Sequence, residues 1–482
     1  MSQFFKYKST ADLEAENARL GTDLRFHDDL APLFRPVTIA GRTLGNRWCV
    51  HPMEGCDGER DGAPGELTFR RYVRFGAGGA KLIWGEACAV TQESRATPRQ
   101  LTLNESTKSA FARIVTDCRA AHRAANGDDS DLLFGLQLTH SGRYSYPRPV
   151  IATHDPILDP RTVANRATGV TVTRDDPLIS DDELKRLVDD YVTAARLAVE
   201  VGFDFIDVKQ CHRYLLNELL GARNRPGPYG GSYENRTRLA REIIQAVRAA
   251  VPAHVVIAVR VNVFDGIPFH TAADRAGAPD AHALPLANGW GMSDTDPFAV
   301  DLTEPLRWIG EMRQLGVTLL NVTMGNPYAQ PHYGRPFEYP PLDGYESPEH
   351  PLVGVDRHFR ATEAIQKAFP DLAVVGTGYS YLQEFLPRAA AANVRDGRVT
   401  IVGVGRGTLA QPDWVRQLLD HGKLDRKRVC RTFSYCTALM RSKQHPMGQF
   451  PTGCPPFDKD AYGDIWKEAQ QLNVKPAKPA GE

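Results

Sequence analysis

The sequence predicts a (β/α)8 TIM barrel with a short N-terminal arm and a C-terminal extension. Three observations point there. Eight short apolar runs follow one another: Trp48 to Met53, Lys81 to Ala87, Leu132 to Leu138, Phe203 to Lys209, Val255 to Val261, Thr318 to Thr323, Leu372 to Gly376 and Val399 to Val404. Each is nearly continuous in apolar residues, as strands covered on both faces are. Helical patterns alternate with them, and chemically active side chains gather just beyond their C-terminal ends, where such barrels meet ligands.

Length and charge set the outer bounds. The chain has 482 residues, and its 58 Lys and Arg balance 58 Asp and Glu. Zero net charge gives no electrostatic reason to expect nucleic acid or a membrane surface as partner. No apolar run approaches the ~20 residues that span a bilayer. The opening MSQFFKYKSTADLEAENARL contains acidic residues and no apolar core, unlike a signal peptide. Eight cysteines without a framework spacing suit a reducing compartment. The expectation is a soluble cytoplasmic protein.

In chain order, residues 1–30 read as an arm with a polar helix from Asp12 to Leu20. Residues 31–420 read as the barrel, and 421–482 as an extension packed on it. The clearest barrel helix follows Ser180, whose spacing to Glu183 makes a capping box. Leu184, Leu187, Val188, Tyr191, Ala194, Ala195 and Ala198 then recur at helical intervals, and Gly202 is the stop signal. Tyr229-Gly230-Gly231-Ser232 is a glycine turn feeding another helix that Ser232 caps. Two insertions, Tyr144 to Ile179 and Gly266 to Pro297, follow proposed strands and read as covers over the barrel mouth.

Candidate chemistry sits at strand ends. Lys209, His212 and Tyr214 follow the fourth run and all donate or exchange protons. Gln137 interrupts an apolar strand, so its amide must find partners. Arg260 is a charge in the apolar run VVIAVRVN and requires a counterpart. Pro52 and Met53 end the first run, beside the carboxyl of Glu54, and Ala87 offers a small side chain in the second. Gly378, Gly405 and Arg406 lie after the last two runs, where barrels often hold phosphate on backbone N–H groups and a guanidinium.

Several of these motifs combine into a spaced pattern. Lys209, His212 and Tyr214-Leu215-Leu216, then YGGS-x-ENR from Tyr229 to Arg236, then Val402-Gly403-Val404-Gly405-Arg406 with Gln411-Pro412-Asp413, resemble the Old Yellow Enzyme family of FMN-dependent oxidoreductases. The resemblance runs from roughly Leu33 to Leu419. It implies non-covalent FMN lying along Asn46 to Gly55, against Pro52 and Met53, with Ala87 beside the ring and Gln137 at the pyrimidine edge. It places Arg260 at the N1–C2 edge and the phosphate on Gly378, Gly405 and Arg406. It also implies reduction of an activated C=C bond, with hydride from flavin N5, a proton from Tyr214, and NAD(P)H as electron donor on the same flavin face. Lys209 and His212 would hold the acceptor oxygen, where two donors stabilise developing negative charge. His140 and Arg143 also match, in structural roles.

Two features depart from the family. Lys209 stands where most members carry His or Asn, and Glu54 stands near the C4 carbonyl where a small Thr or Cys is common. Ionised, Glu54 would disfavour the anionic reduced flavin; protonated, it would donate a hydrogen bond. Longer relatives, the trimethylamine dehydrogenase and dienoyl-CoA reductase branch, carry an iron–sulfur motif after the barrel. Here Phe433 and Met440 occupy two of its places, with Cys436 and Cys454 at the others. Two thiolates do not make the four that a cluster needs, so no cluster is expected. The alternatives are a flavin-dependent amine dehydrogenase or demethylase, a flavin-free lyase with a Schiff base on Lys209, and a non-catalytic barrel. The partner expected is a small-molecule substrate, with homo-oligomerisation left open.

Overall fold

The computed structural model describes residues 4–341, 344–442 and 445–473. Each of the eight apolar runs forms one barrel strand, with ends shifted by a few residues. The strands are β1 (Trp48–Val50), β2 (Leu82–Ala89), β3 (Leu133–Thr139), β4 (Phe205–Val208), β5 (Val256–Asn262), β6 (Val317–Thr323), β7 (Ala373–Gly376) and β8 (Ile401–Val404). They pair in parallel in chain order, and β8 pairs with β1 to close the barrel. One helix follows each strand on the outside: α1 (Glu66–Ala77), α2 (Lys108–Asn126), α3 (Asp181–Glu200), α4 (Arg238–Ala250), α5 (Thr303–Gln314), α6 (Pro351–Ala368), α7 (Leu386–Arg395) and α8 (Trp414–His421).

Local chemistry accounts for these elements. The Ser180 hydroxyl accepts from the N–H of Glu183, and the Glu183 carboxylate reaches back to the Ser180 N–H. This reciprocal cap satisfies two otherwise unpaired donors at the start of α3. The helix ends at Glu200, two residues before Gly202, whose φ of 101° carries the chain out into β4. Along α4 the apolar stripe Leu239, Ala240, Ile243, Ile244 and Val247 is buried. Its larger side chains contribute about 1.5–3 kcal/mol each. Among the described residues no helix is long and apolar enough to cross a membrane.

The barrel interior is layered. Its lower part is apolar, with Leu82, Trp84, Leu133, Phe205, Val256, Leu319, Val375 and Ile401 packed together. Ile39 and Leu44, from the hairpin before β1, join the same cluster. Further along the strands the inward groups turn polar. Strand register sets Ala87 beside Gln137, Gln137 beside Asp207, and Arg260 beside Asn321. His51 follows β1, accepting from the Asn321 amide at Nδ1 (3.1 Å) and lying 3.1 Å from the Thr377 hydroxyl at Nε2. That hydroxyl donates to the Val322 carbonyl, so Nε2 must carry the imidazole proton. Gly403 is required here, because a Cβ would stand 2.2 Å from the His51 ring.

The chain ends pack on this frame. The helix Thr10–Leu20 is capped by Ser9, and Phe5 packs against Tyr381 and Phe385. Leu439, Phe450, Tyr462 and Ala469 form a satellite cluster with Leu67, Ile465 and Trp466. Arg70 and Arg74 of α1 both bind Asp458 (2.6 and 2.5 Å), and the Thr452 N–H donates to the Gly55 carbonyl (2.6 Å). Thr452 and Asp458 are thereby held against the β1–α1 loop and α1.

The two insertions contain small hairpins, Val163–Asn165 with Val170–Thr171 and Phe269–Thr271 with Gly277–Pro279. They are tied to each other, since Arg161 pairs with Asp280 and donates to the Phe269 carbonyl. Arg143 anchors the first one through Glu218 (2.8 Å) and Asp159 (3.2 Å), which makes it a structural residue.

Buried histidines give the fold an acid limit. Burial pushes His140 and His358 down to about 4. His358 donates from Nε2 to the Tyr333 carbonyl (2.8 Å), and its Nδ1 has no hydrogen-bond partner among the described residues. The unfolded chain binds these protons near pH ~6.5, whereas the folded chain binds them only near 4. Stability should therefore fall as pH drops from ~6.5 to ~4, by up to about 3 kcal/mol per group, and these groups should add no further loss below that. Urea unfolding across this range checks it, and His358→Gln should flatten the slope.

Candidate active site

An open cavity of about 1180 Å3, its mouth included, occupies the C-terminal end of the barrel. Every candidate residue from the sequence lines it: Pro52, Met53, Glu54, Ala87, Gln137, Lys209, His212, Tyr214, Arg260, Gly378, Gly405 and Arg406. His140 is buried elsewhere. The two insertions contribute no lining residue, contrary to their reading as covers. The walls come instead from Pro327 to Pro336, after β6, and from Cys436, Thr437, Met440 and Thr452 of the C-terminal segment.

The floor is built by hydrogen bonds between neighbouring strands. Asp207 accepts from Trp84 Nε1 (2.7 Å), Gln137 Nε2 (2.6 Å) and the Arg260 N–H (2.7 Å). Burial raises its pKa to about 6, against the lowering effect of these donors. Near neutral pH it is therefore mostly an acceptor, so the Gln137 NH2 must face it and the amide oxygen points away. Arg260 donates to the Pro52 carbonyl (3.4 Å), while its Nε lacks a partner among the described residues. Among the described residues no carboxylate lies within ion-pair distance of its guanidinium, although its charge acts on Asp207. Asp207 was not singled out in the sequence, although a carboxyl inside FIDV is the same kind of signal as Gln137.

The chain after β4 is strained. His212 and Arg213 both adopt left-handed conformations, with φ of 66° and 58°. Each such residue costs on the order of 1–2 kcal/mol outside glycine. The turn is held by Asn262, whose side-chain amide oxygen accepts from the His212 N–H (3.3 Å), and by Asn217, whose side-chain oxygen accepts from the Arg213 N–H (2.6 Å). Asn326 donates to the His212 carbonyl (2.8 Å), and Asp265 pairs with Arg213 (3.2 Å). Tyr214 then starts the helix Leu215–Leu220, and its ring comes to face the cavity.

Around Tyr214 the groups form a tight set. Lys209 Nζ lies 3.8 Å from the ring centroid and 4.0 Å from Glu54 Oε1. The Tyr214 hydroxyl is 3.4 Å from Glu54 Oε1 and 3.0 Å from the hydroxyl of Tyr328. Gln100 Nε2 donates to Glu54 (3.2 Å). Tyr144 stacks obliquely on Tyr214 and Tyr328, at 5.7 and 5.0 Å between centroids. The Lys209 side chain is only 3% exposed, so it does not reach out to solvent. Burial lowers its pKa and raises that of Glu54. Burial, with Glu54 nearby, also raises Tyr214 well above its usual value. His212 is held neutral by burial, reinforced by Arg260, Lys209 and Arg335. Tyr328, Gln100 and Arg335 had no sequence signal, since each arrives from a loop without periodicity.

At the far side, Arg406 donates to the Pro336 carbonyl (2.6 Å), and its Nη1 has no partner among the described residues. The Gly407 N–H donates to Ser380 (3.2 Å). Gly378 needs its left-handed φ of 103° to lead away from β7. Arg335, bound to Thr437 and to the Pro327 carbonyl, is pushed down to about 9 by burial and by Arg406 and Arg441.

Comparison with known proteins adds the family. Residues 32–282 match the model of the NADH:flavin oxidoreductase / NADH oxidase family. The chain belongs to this family. Among its relatives, an NADH:flavin oxidoreductase of Gibberella zeae is 30% identical over 249 residues, covering 48% of this chain and 57% of that protein. The NADPH dehydrogenase of Bacillus subtilis is 31% identical over 222 residues, covering 45% of this chain and 60% of the relative. These alignments thus span less than two thirds of either relative. Solved structures share the barrel. A 2-naphthoyl-CoA reductase complex superimposes with TM-score 0.65 at 17% identity, over 93% of this chain and 60% of that one. Morphinone reductase in complex with tetrahydroNAD gives 0.56 at 20% identity, over 82% and 92%.

Proposed function

We propose that this NADH:flavin oxidoreductase family member binds FMN without a covalent link and reduces an activated C=C bond, such as that of an unsaturated carbonyl compound, at the expense of NAD(P)H. The observation that carries this reading is the meeting of Lys209, His212 and Tyr214 with Gln137, Arg260 and Arg406 on one cavity. The residues present fit the cofactor. Unpartnered nitrogens on Arg260 and Arg406 await acceptors, Gln137 presents an amide oxygen, and glycine backbone flanks Arg406. FMN, when bound, supplies a two-electron carrier that a nicotinamide refills.

The chain's own groups do the rest. Arg406, with Gly378 and Gly405 beside it, would hold the phosphate. Gln137, Arg260, Pro52, Met53 and Ala87 would seat the ring, with Glu54 at its edge. Lys209 and His212 would bind the acceptor oxygen, the first as a cation and the second as a neutral N–H donor, polarising the conjugated bond. Tyr214, protonated at neutral pH, would deliver a proton to one alkene carbon. Relatives named NADPH dehydrogenase, and morphinone reductase, support the reductive direction. The reading includes no iron–sulfur cluster, because Phe433 and Met440 offer no thiolate at two of the four places.

The decisive assay is anaerobic. Purified protein should be yellow or take up FMN, and NAD(P)H should be consumed on adding an unsaturated ketone. A colourless preparation that cannot be reconstituted sinks the proposal, as does flavin bleached by methylated amines but not by NAD(P)H. Arg406→Ala should weaken FMN retention roughly 10- to 100-fold, the value of a charged hydrogen bond or two, as read by fluorescence on dilution.

A further inference from the structure

Tyr214 is only 2% exposed, so bulk water does not recharge its hydroxyl directly. Among the described residues two groups reach that oxygen: the Glu54 carboxyl, to which the resting phenol donates at 3.4 Å, and the Tyr328 hydroxyl at 3.0 Å. We propose that Glu54 is the proton source for Tyr214, returning a proton to the phenolate after each turnover while Tyr328 holds the phenol oxygen in place. This rests on the function proposed above, in which Tyr214 is the donor to the acceptor carbon.

The surroundings favour Glu54 over Tyr328 as the source. Burial raises the Glu54 carboxyl above the usual carboxylate range, so it carries a proton more readily than an exposed Glu. Burial moves Tyr328 further from ionisation, which makes it a poor giver. The groups that face Glu54 are Lys209 and Tyr214 after β4, Gln100 after β2, Tyr328 after β6 and its own neighbour Cys56. Lys209 opposes its protonation, yet the same ammonium sits over the Tyr214 ring and stabilises the transient phenolate. Glu54 and Lys209 therefore form a pair in which a proton on either partner is close to the phenol.

The transfers balance without further reagents. The Tyr214 O–H bond breaks as the C–H bond forms on the acceptor. The Glu54 O–H bond then breaks as the Tyr214 O–H bond re-forms. The Glu54 carboxylate, its side chain 13% exposed, regains a proton from water at the cavity mouth.

The test compares holoenzyme variants in single and multiple turnover with an unsaturated ketone. Glu54→Gln should cut steady-state turnover roughly tenfold or more, slow the first turnover by a smaller factor, and remove the acid-group limb of the pH profile. Glu54→Asp should recover most of the loss. Equal slowing of first and later turnovers, or an unchanged pH profile, would overturn the proposal. A second arm needs no flavin: isotope-edited infrared titration of the Glu54 carboxyl should show its midpoint moving in Tyr214→Phe. If the wild type reduces no acceptor, the proposed function fails while this arm still decides the proton link. An unmoved midpoint overturns that link.

Discussion

Tyr214→Phe should lower the rate of C=C reduction by about 10²–10³-fold, the span that a positioned proton donor contributes. Phe fills the same buried space and keeps its ring under the Lys209 ammonium, so packing and the cation–π contact survive. What disappears is the hydroxyl that meets Glu54 and Tyr328. The loss should therefore fall on kcat for acceptors that need a proton at carbon, with KM changing little. Flavin reduction by NAD(P)H, which needs no proton from this group, should slow by much less. Stopped-flow measurement of the two half-reactions separates the steps. Equal slowing of both would mean that Tyr214 shapes the cavity and does not deliver the proton.

Arg71→Leu should cost about 3–5 kcal/mol of stability, the usual penalty for removing one member of a buried charge cluster. Arg71, on α1, binds Asp57 at 2.5 and 3.1 Å and Glu86 at 2.6 Å, and all three side chains are at most 4% exposed. Thr68 also donates to Asp57 (2.6 Å), and the Gly55 N–H donates to Glu86 (2.8 Å). Without the guanidinium, two carboxylates remain buried with too few donors. Burial already raises the Glu86 carboxyl against the lowering pull of Arg71, and without the guanidinium it would rise further, so the variant should regain stability as pH falls and lose it as pH rises. Denaturant melts near pH 5 and pH 8 check the sign. The same cluster fixes Gly55, the residue after Glu54, so activity should fall even at temperatures where the variant stays folded.

The barrel was legible because its strands are nearly continuous apolar runs, and burial on both faces demands that pattern. The candidate residues stood out as polar groups at the ends of those runs, and they share one cavity. Other parts depend on contacts that no local pattern encodes. The 4.0 Å approach of Lys209 to Glu54 joins β4 to β1 across the barrel mouth, a consequence of closure. Tyr328 and Arg335 come from an aperiodic loop, and Cys436, Thr437, Met440 and Thr452 line the cavity on a segment that Asp458 anchors to α1. The two insertions read as covers because they are long loops beyond strand ends, yet among the described residues only Tyr144 at the start of one packs on cavity residues, and Arg161 joins the two to each other.

The left-handed pair at His212 and Arg213 sets a limit on how this scaffold can be hardened. Glycine is the ordinary remedy for such a conformation, but at 212 it would delete the imidazole and at 213 the partner of Asp265. Thermostabilising substitutions must therefore be sought away from this corner, in the outer helices.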